Sequence, residues 1–184
     1  MWVAITLVAI LVIAVFYFIA QYNGLVSLRR QVDNSFGQID VQLKRRYDLI
    51  PNLVETVKGY MKYEQETLDK VISARNRAVS ATGVQDKAAA DGQVTAALGG
   101  IFALSEAYPE LKANQNMLSL QEELKSTENK VSFARQYYND IVTAYNTRLE
   151  TFPSNLVASM GSFTPRELFE IEDPIQRENV QVKF

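Results

Sequence analysis

Apolar residues run without a charge from Trp2 to Ala20, and Thr6 is the only clearly polar side chain among them. As a helix this stretch spans roughly 29 Å, close to the ~30 Å hydrocarbon thickness of a bilayer. Beyond it the pattern changes from continuous to periodic. Leu25, Leu28, Val32, Phe36, Ile39, Leu43 and Tyr47 recur at three- and four-residue steps and predict an amphipathic helix over 21–48. Gly24 offers a place for a bend, and Asp40 stands four residues before Lys44, the favourable order for a surface ion pair. Pro51 removes an amide donor and disfavours helix at Ile50, so a break is expected near 48–50. A second helix over 52–80 carries Leu53, Val57, Tyr60 or Met61, Leu68, Ile72, Arg75 and Val79 on one face, and Ala81-Thr82-Gly83 is a stop.

A weaker stripe of Val94, Leu98, Ile101 and Phe102, interrupted by Gly99-Gly100, predicts a shorter helix over 85–105, closed by Tyr108-Pro109. The last long helix starts at the capping-box pattern Ser119 to Glu122, or earlier at Asn114 or Asn116, and runs to Phe152-Pro153. Its stripe is Leu120, Leu124, Val131, Ala134, Tyr138, Ile141, Tyr145 and Leu149. Nothing between residues 21 and 152 alternates with period two, so the domain reads as all-α. The three long segments would be rods of roughly 42, 44 and 50 Å. Rods of similar length, each with one apolar face, pack as an antiparallel bundle. The expected architecture is a transmembrane anchor (1–21), an elongated antiparallel four-helix bundle (22–152) and a C-terminal tail (153–184).

The flanks bear on how the apolar stretch is used. Trp2 opens it, and Tyr17 and Tyr22 close it, as amphipathic aromatics do at membrane interfaces. No Lys or Arg precedes it, the run is long, and Phe18-Ile19-Ala20-Gln21 makes a poor cleavage site, so a retained single-pass anchor is favoured over a cleaved signal. Arg29 and Arg30, then Lys44, Arg45 and Arg46, come after the stretch, and the positive-inside bias puts the remainder in the cytoplasm. In the tail, Phe163, Phe169, Ile171, Val180, Val182 and Phe184 are separated by polar residues and by Pro165 and Pro174. That interruption favours a mostly disordered end. The alternative is an arm that docks on the bundle, the membrane or a neighbouring subunit.

Composition narrows the chemistry. The net charge is −2 and the basic residues form no dense stripe, which gives no footing for nucleic acid. Cys and His are both absent, excluding disulfides, thiolate or imidazole metal sites, His-based triads and cysteine nucleophiles. No cofactor, metal ligand set or catalytic residue is assigned. Glu64 and Arg75 share the apolar face of the second helix, and Glu128 lies on that of the last, beside Thr127. Buried charges need partners, so an Arg75–Glu128 or Arg135–Glu64 pair is expected to fix register. Lys44-Arg45-Arg46 is the only run of three bases and the candidate grip on an anionic partner, although such a run is more often a solvated helix end. Phe163, Phe169 and Phe184 are the tail's candidates for partner contact. Tyr138-Asn139 and Tyr145-Asn146 repeat one heptad apart, with the tyrosines read as core and the asparagines as flanking donors to a neighbouring helix.

Several of these segments together resemble the LemA family. They begin at Tyr22-Asn23, with Leu25-Val26 and Arg29. The most specific run is Ile39 to Arg46, then Asp48 to Val54 and Val57 to Tyr60. Further matches are Ala74-Arg75, Tyr108-Pro109, Leu111 to Ala113, Leu120-Gln121, Thr127 to Asn129, Ala134-Arg135, both Tyr-Asn steps and Phe152-Pro153. The resemblance covers most of the chain to residue 163. It implies a bacterial inner-membrane protein with a short outside N-terminus and a cytoplasmic antiparallel helical bundle, and it brings no catalytic residues. A magnetosome-associated relative implies membrane organisation, and the placement of some members near membrane proteases implies a regulatory link. The first expected function is a self-associating, non-enzymatic membrane scaffold. The second is an adaptor or regulator of another membrane protein.

Overall fold

A computed structural model describes residues 1–60 and 64–170. The expectations attached to Met61, Ile171, Pro174, Val180, Val182 and Phe184 lie outside those residues. Six helices occur in chain order: α1 (Trp2–Lys58), α2 (Gln65–Ser80), α3 (Val84–Ser105), α4 (Pro109–Lys112), α5 (Gln115–Glu150) and α6 (Ser154–Met160). No strand occurs among the described residues. Two compact units can be told apart. One joins Met1–Gln38 to Gln136–Leu168; the other contains Ile39–Arg135 and takes up Phe169.

The expected break at 48–50 is absent: α1 runs through Pro51 to Lys58. Pro51 has no amide to give to the Tyr47 carbonyl four residues back. Arg75 on α2 supplies the missing donor, with its Nε 3.4 Å from that oxygen. The proline ring is on the exposed side of the helix, where it disturbs no packing. The chain turns instead after Lys58, at Gly59 and Tyr60. The helix also continues through Gly24. A Cβ there would come within 3.3 Å of Arg148 Nη2, so the glycine clears space for that guanidinium, which donates to Gln21 Oε1 at 2.9 Å.

In the Ile39–Arg135 unit the core is aliphatic, with Ile50, Leu53 and Val57 of α1 completely or nearly completely buried beside Leu68 and Val71 of α2 and Ile101 of α3. Helices α2 and α3 pack against each other. Between them Gly83 has φ of +80°, a left-handed conformation that a Cβ would strain. Asn114 caps α5, its Oδ1 accepting from the amides of Asn116 and Met117. Of the starts left open by sequence, this is the earliest.

In the other unit, Val32, Tyr138, Val142 and Tyr145 are buried, and Phe36 meets Tyr138 with ring centroids 5.7 Å apart. The expectation of a disordered tail fails for residues 154–170. Helix α6 buries Val157 and Ala158 against Leu25. It ends in a Schellman motif: the Phe163 amide donates to Ala158 O and the Ser162 amide to Ser159 O, with Ser162 at φ +53°. That turn brings Phe163 back onto the same apolar cluster. A Cβ on Gly161 would lie 2.5 Å from the Phe163 ring, which holds the position to glycine.

Candidate functional site

The most concentrated polar constellation is in the Ile39–Arg135 unit. Arg46 and Asp91 each have only 2% of the side chain exposed, and Arg46 Nη1 lies 2.9 Å from Asp91 Oδ1. Arg46 Nη2 donates to Thr95 Oγ1 at 3.0 Å and pairs with Glu128, whose side chain is nearly half exposed. The Tyr47 hydroxyl, next along the chain, donates to the same Asp91 oxygen at 3.3 Å. Consecutive residues on α1 thus converge on one carboxylate. On α3 the neighbours of Asp91 in sequence are small, and Ala88 and Ala90 are buried with it.

Burial, with Asp91 beside it, pushes the Tyr47 phenol far above its usual value, so it remains a donor at any physiological pH. Burial also pushes the Asp91 carboxyl up; the Arg46 guanidinium pulls it back, the Glu128 carboxylate adds to the rise, and the Tyr47 hydrogen bond and Arg135 oppose it more weakly. A group whose folded value is raised contributes stability that is complete below the ordinary carboxylate value and is lost as pH rises through the raised one. The destabilisation caused by Asp91→Asn, read as a shift in thermal midpoint in mild detergent, is therefore largest near pH 4 and narrows as pH rises. A penalty that grows with pH contradicts this assignment.

Beside the cluster, a cleft of about 360 Å³ is lined by Asp40, Lys44, Tyr47, Asp48, Arg75 and Lys87 together with Leu43, Ala78, Val79 and Ala81. Its charged side chains are all engaged within the protein. Lys44 pairs with Asp48 at 2.9 Å, Lys87 with Asp40, and Arg75 with the Tyr47 carbonyl. The expected Asp40–Lys44 pair is thus replaced by two others. Among the described residues no group of three or more Asp, Glu, His or Cys is placed to hold a metal ion.

The expected register pairs are also redistributed. Glu128 meets Arg46 rather than Arg75, because Arg75 is drawn to the carbonyl left open by Pro51. Glu64 accepts from the Tyr108 hydroxyl, and half-buried Arg135 acts through its charge on Asp91. Of the basic run, Lys44 and Arg45 are exposed, but Arg46 faces the core and is unavailable as a surface grip.

The second constellation lies in the Met1–Gln38 and Gln136–Leu168 unit. Asn146 grips the backbone of Arg166 from both sides: its Nδ2 donates to Arg166 O at 2.8 Å, and its Oδ1 accepts the Arg166 amide at 2.9 Å. The Tyr138 hydroxyl donates to Glu167 O at 2.8 Å, and Arg166 Nη2 reaches Asp33 Oδ1 at 3.0 Å. Phe163 meets Tyr22 edge-on at 5.6 Å, with the Arg29 guanidinium 5.1 Å from its ring centre. Asn146 thus donates to the returning tail rather than to a helix. Phe169 is buried, while Arg30, Trp2 and Tyr17 are exposed. The window of α1 apolar enough to cross a membrane has none of its residues buried.

Sequence reasoning missed Asp91, Thr95 and Arg166. A charge inside the small-residue run 88–92 was the available signal for Asp91. Thr95 and Arg166 stand among ordinary surface residues and gave none.

A family model described as the LemA family matches residues 35–184, so the likeness extends through the tail. The chain is 29% identical over 153 residues to Protein LemA of Metamycoplasma hominis, covering 81% of this chain and 69% of that protein. It is 23% identical over 194 residues to Magnetosome protein MamQ 2 of Paramagnetospirillum magneticum, covering 89% and 71%. Magnetosome protein MamQ of Magnetospirillum gryphiswaldense is 22% identical over 175 residues, covering 81% and 64%.

Proposed function

The chain belongs to the LemA family, and from that premise we propose that it is a membrane-anchored, non-enzymatic scaffold that self-associates in a bacterial inner membrane. The anchor is residues 1–21, the cytoplasmic bundle 22–152 with its long helices antiparallel, and the tail 153–184. The observation that carries this reading is the exposed apolar span of α1, continuous with the amphipathic part of the same helix. Leu7, Ile10 and Ile13 are each more than 60% exposed, a surface that water disfavours and lipid accepts.

Further support comes from the charges. Arg29 and Arg30 lie after the span, within the range over which basic residues orient a helix, which favours the cytoplasmic side for the rest of the chain. The polar cluster is better suited to fixing register than to reaction, since its cation is buried and engaged by three partners. On α5, Phe133 stands 72% exposed and offers an apolar contact for a second copy. The relatives named as magnetosome proteins support a role in organising a membrane structure.

The full chain in native nanodiscs should show a discrete homo-oligomeric mass and crosslink to itself in membranes. A monomer without self-crosslinks overturns the scaffold. Recovery of one stoichiometric membrane partner, such as a protease, would then replace it with the adaptor reading.

A further inference from the structure

We propose that α6 is an interfacial helix, and that Phe152, Leu156 and Met160 are buried in lipid of the leaflet through which α1 enters the cytoplasm. This rests on the anchoring proposed above and adds a second membrane contact at the far end of the chain.

Three observations carry it. The first is an unusual face. Phe152, Leu156 and Met160 recur at four-residue steps and are 75, 57 and 73% exposed. Leu156 and Met160, four residues apart on α6, share one side of that helix, and Phe152 precedes it in the turn after α5. The opposite side is occupied, since Ser154, Val157 and Ala158 are buried and the latter two pack on Leu25. This short helix is apolar on its outward face, the reverse of what a water-exposed surface helix shows.

The second observation is position. Leu25 is five residues past Ala20, the end of the apolar span, or roughly 7–8 Å along the helix. Tyr22 meets Phe163, and Arg148 bonds to Gln21, so both sides of α6 are tied to the last turns of the anchor. A hollow next to these contacts is lined by Tyr17, Gln21, Arg148 and Phe152 among others, putting Phe152 level with the final turn of the span itself. Interfacial helices bury their apolar face about 5–10 Å into the boundary between headgroups and acyl chains, and the hollow shared by Phe152, Tyr17 and Gln21 puts this face beside that boundary.

The third is charge. Arg29 lies over Phe163, and Arg30 is exposed one residue on. Cations at this level suit the anionic headgroups beside an apolar face turned into the bilayer.

Because the sequence has no cysteine, single cysteines can be labelled cleanly in the full chain. Leu156→Cys, Met160→Cys and Ser159→Cys each take an environment-sensitive nitrobenzoxadiazole probe, with Ala14→Cys as the span control and Ser119→Cys as the aqueous control. The proteins are reconstituted in phosphatidylethanolamine–phosphatidylglycerol vesicles carrying nitroxide lipids of shallow or deep label position. The probes at 156 and 160 should emit to the blue of the probe at 119. They should be quenched several-fold more strongly by the shallow nitroxide, with the probe at 159 between them. Quenching at 14 without quenching at 156 and 160 overturns the interfacial helix and leaves the anchor standing. Absence of quenching at 14 as well overturns both. A blue-shifted but unquenched probe at 156 or 160 also overturns the proposal, since it places the face against protein rather than lipid.

Discussion

Arg46→Ala lowers the stability of the chain by about 3–5 kcal/mol, the range seen when one member of a buried ion pair is removed. The reason is desolvation. The Asp91 carboxylate has 2% of its side chain exposed, and its charge is balanced at contact distance by the Arg46 guanidinium. Without the guanidinium, only the Tyr47 hydroxyl still donates to the Asp91 oxygen that bonded Arg46, and a single neutral donor cannot offset a buried charge. Glu128, nearly half exposed, returns to water at little cost, so Glu128→Ala should change stability by no more than about 1 kcal/mol. The combination Arg46→Met with Asp91→Leu should recover most of the loss, because no charge is then left buried. Unfolding of the full chain in mild detergent, followed by circular dichroism, measures all three. Equal losses for Arg46→Ala and Glu128→Ala would refute the account of Arg46 as the buried hub.

Tyr138→Ala is expected to cost about 3–5 kcal/mol, the range for losing a large buried ring. Tyr138 is 2% exposed, packs on Phe36, and spends its hydroxyl on Glu167 O. Tyr138→Phe keeps the ring and removes only the hydrogen bond, for about 0.5–1.5 kcal/mol. The two variants separate packing from tethering. Limited trypsin digestion reads the tether directly, because Arg166 is an exposed cleavage site whose amide and carbonyl are both engaged by Asn146. Cleavage after Arg166 should therefore be faster in both Tyr138 variants and in Asn146→Ala than in the wild type. If Tyr138→Ala stays within about 1 kcal/mol of the wild type, the tail owes nothing to that ring.

Much of the helical pattern was legible in the sequence. Buried residues such as Leu25, Val32, Ile39 and Leu43 are those of the expected stripe, because three- and four-residue spacing directly encodes a helical face. The stop before Gly83 and the helix after it were equally readable. Pro51 was misread because a proline inside a helix is judged by its own missing amide, whereas here the donor comes from Arg75, distant in sequence. Arg46 was misread for a related reason. In a run of three bases nothing local says which one turns inward; that is decided by Asp91, forty-five residues away. The stretch around Arg166 and Glu167 was hidden because its tethers run from side chains to backbone, and a segment held by its backbone leaves no apolar period to read.

The division of the chain has a consequence for the order in which the protein is made. The Ile39–Arg135 unit is nearly contiguous, so its contacts become available as soon as that stretch has left the ribosome. The other unit joins partners much farther apart, 127 residues between Gln21 and Arg148 and 133 between Asp33 and Arg166. Loops that long close late, since their entropy is lost before any contact compensates it. Throughout translation of α2 to α5, the Tyr22 and Leu25 surface of α1 therefore waits uncovered. It is sealed only when Phe163 and the residues around it arrive, so this surface depends on a partner made more than a hundred residues later.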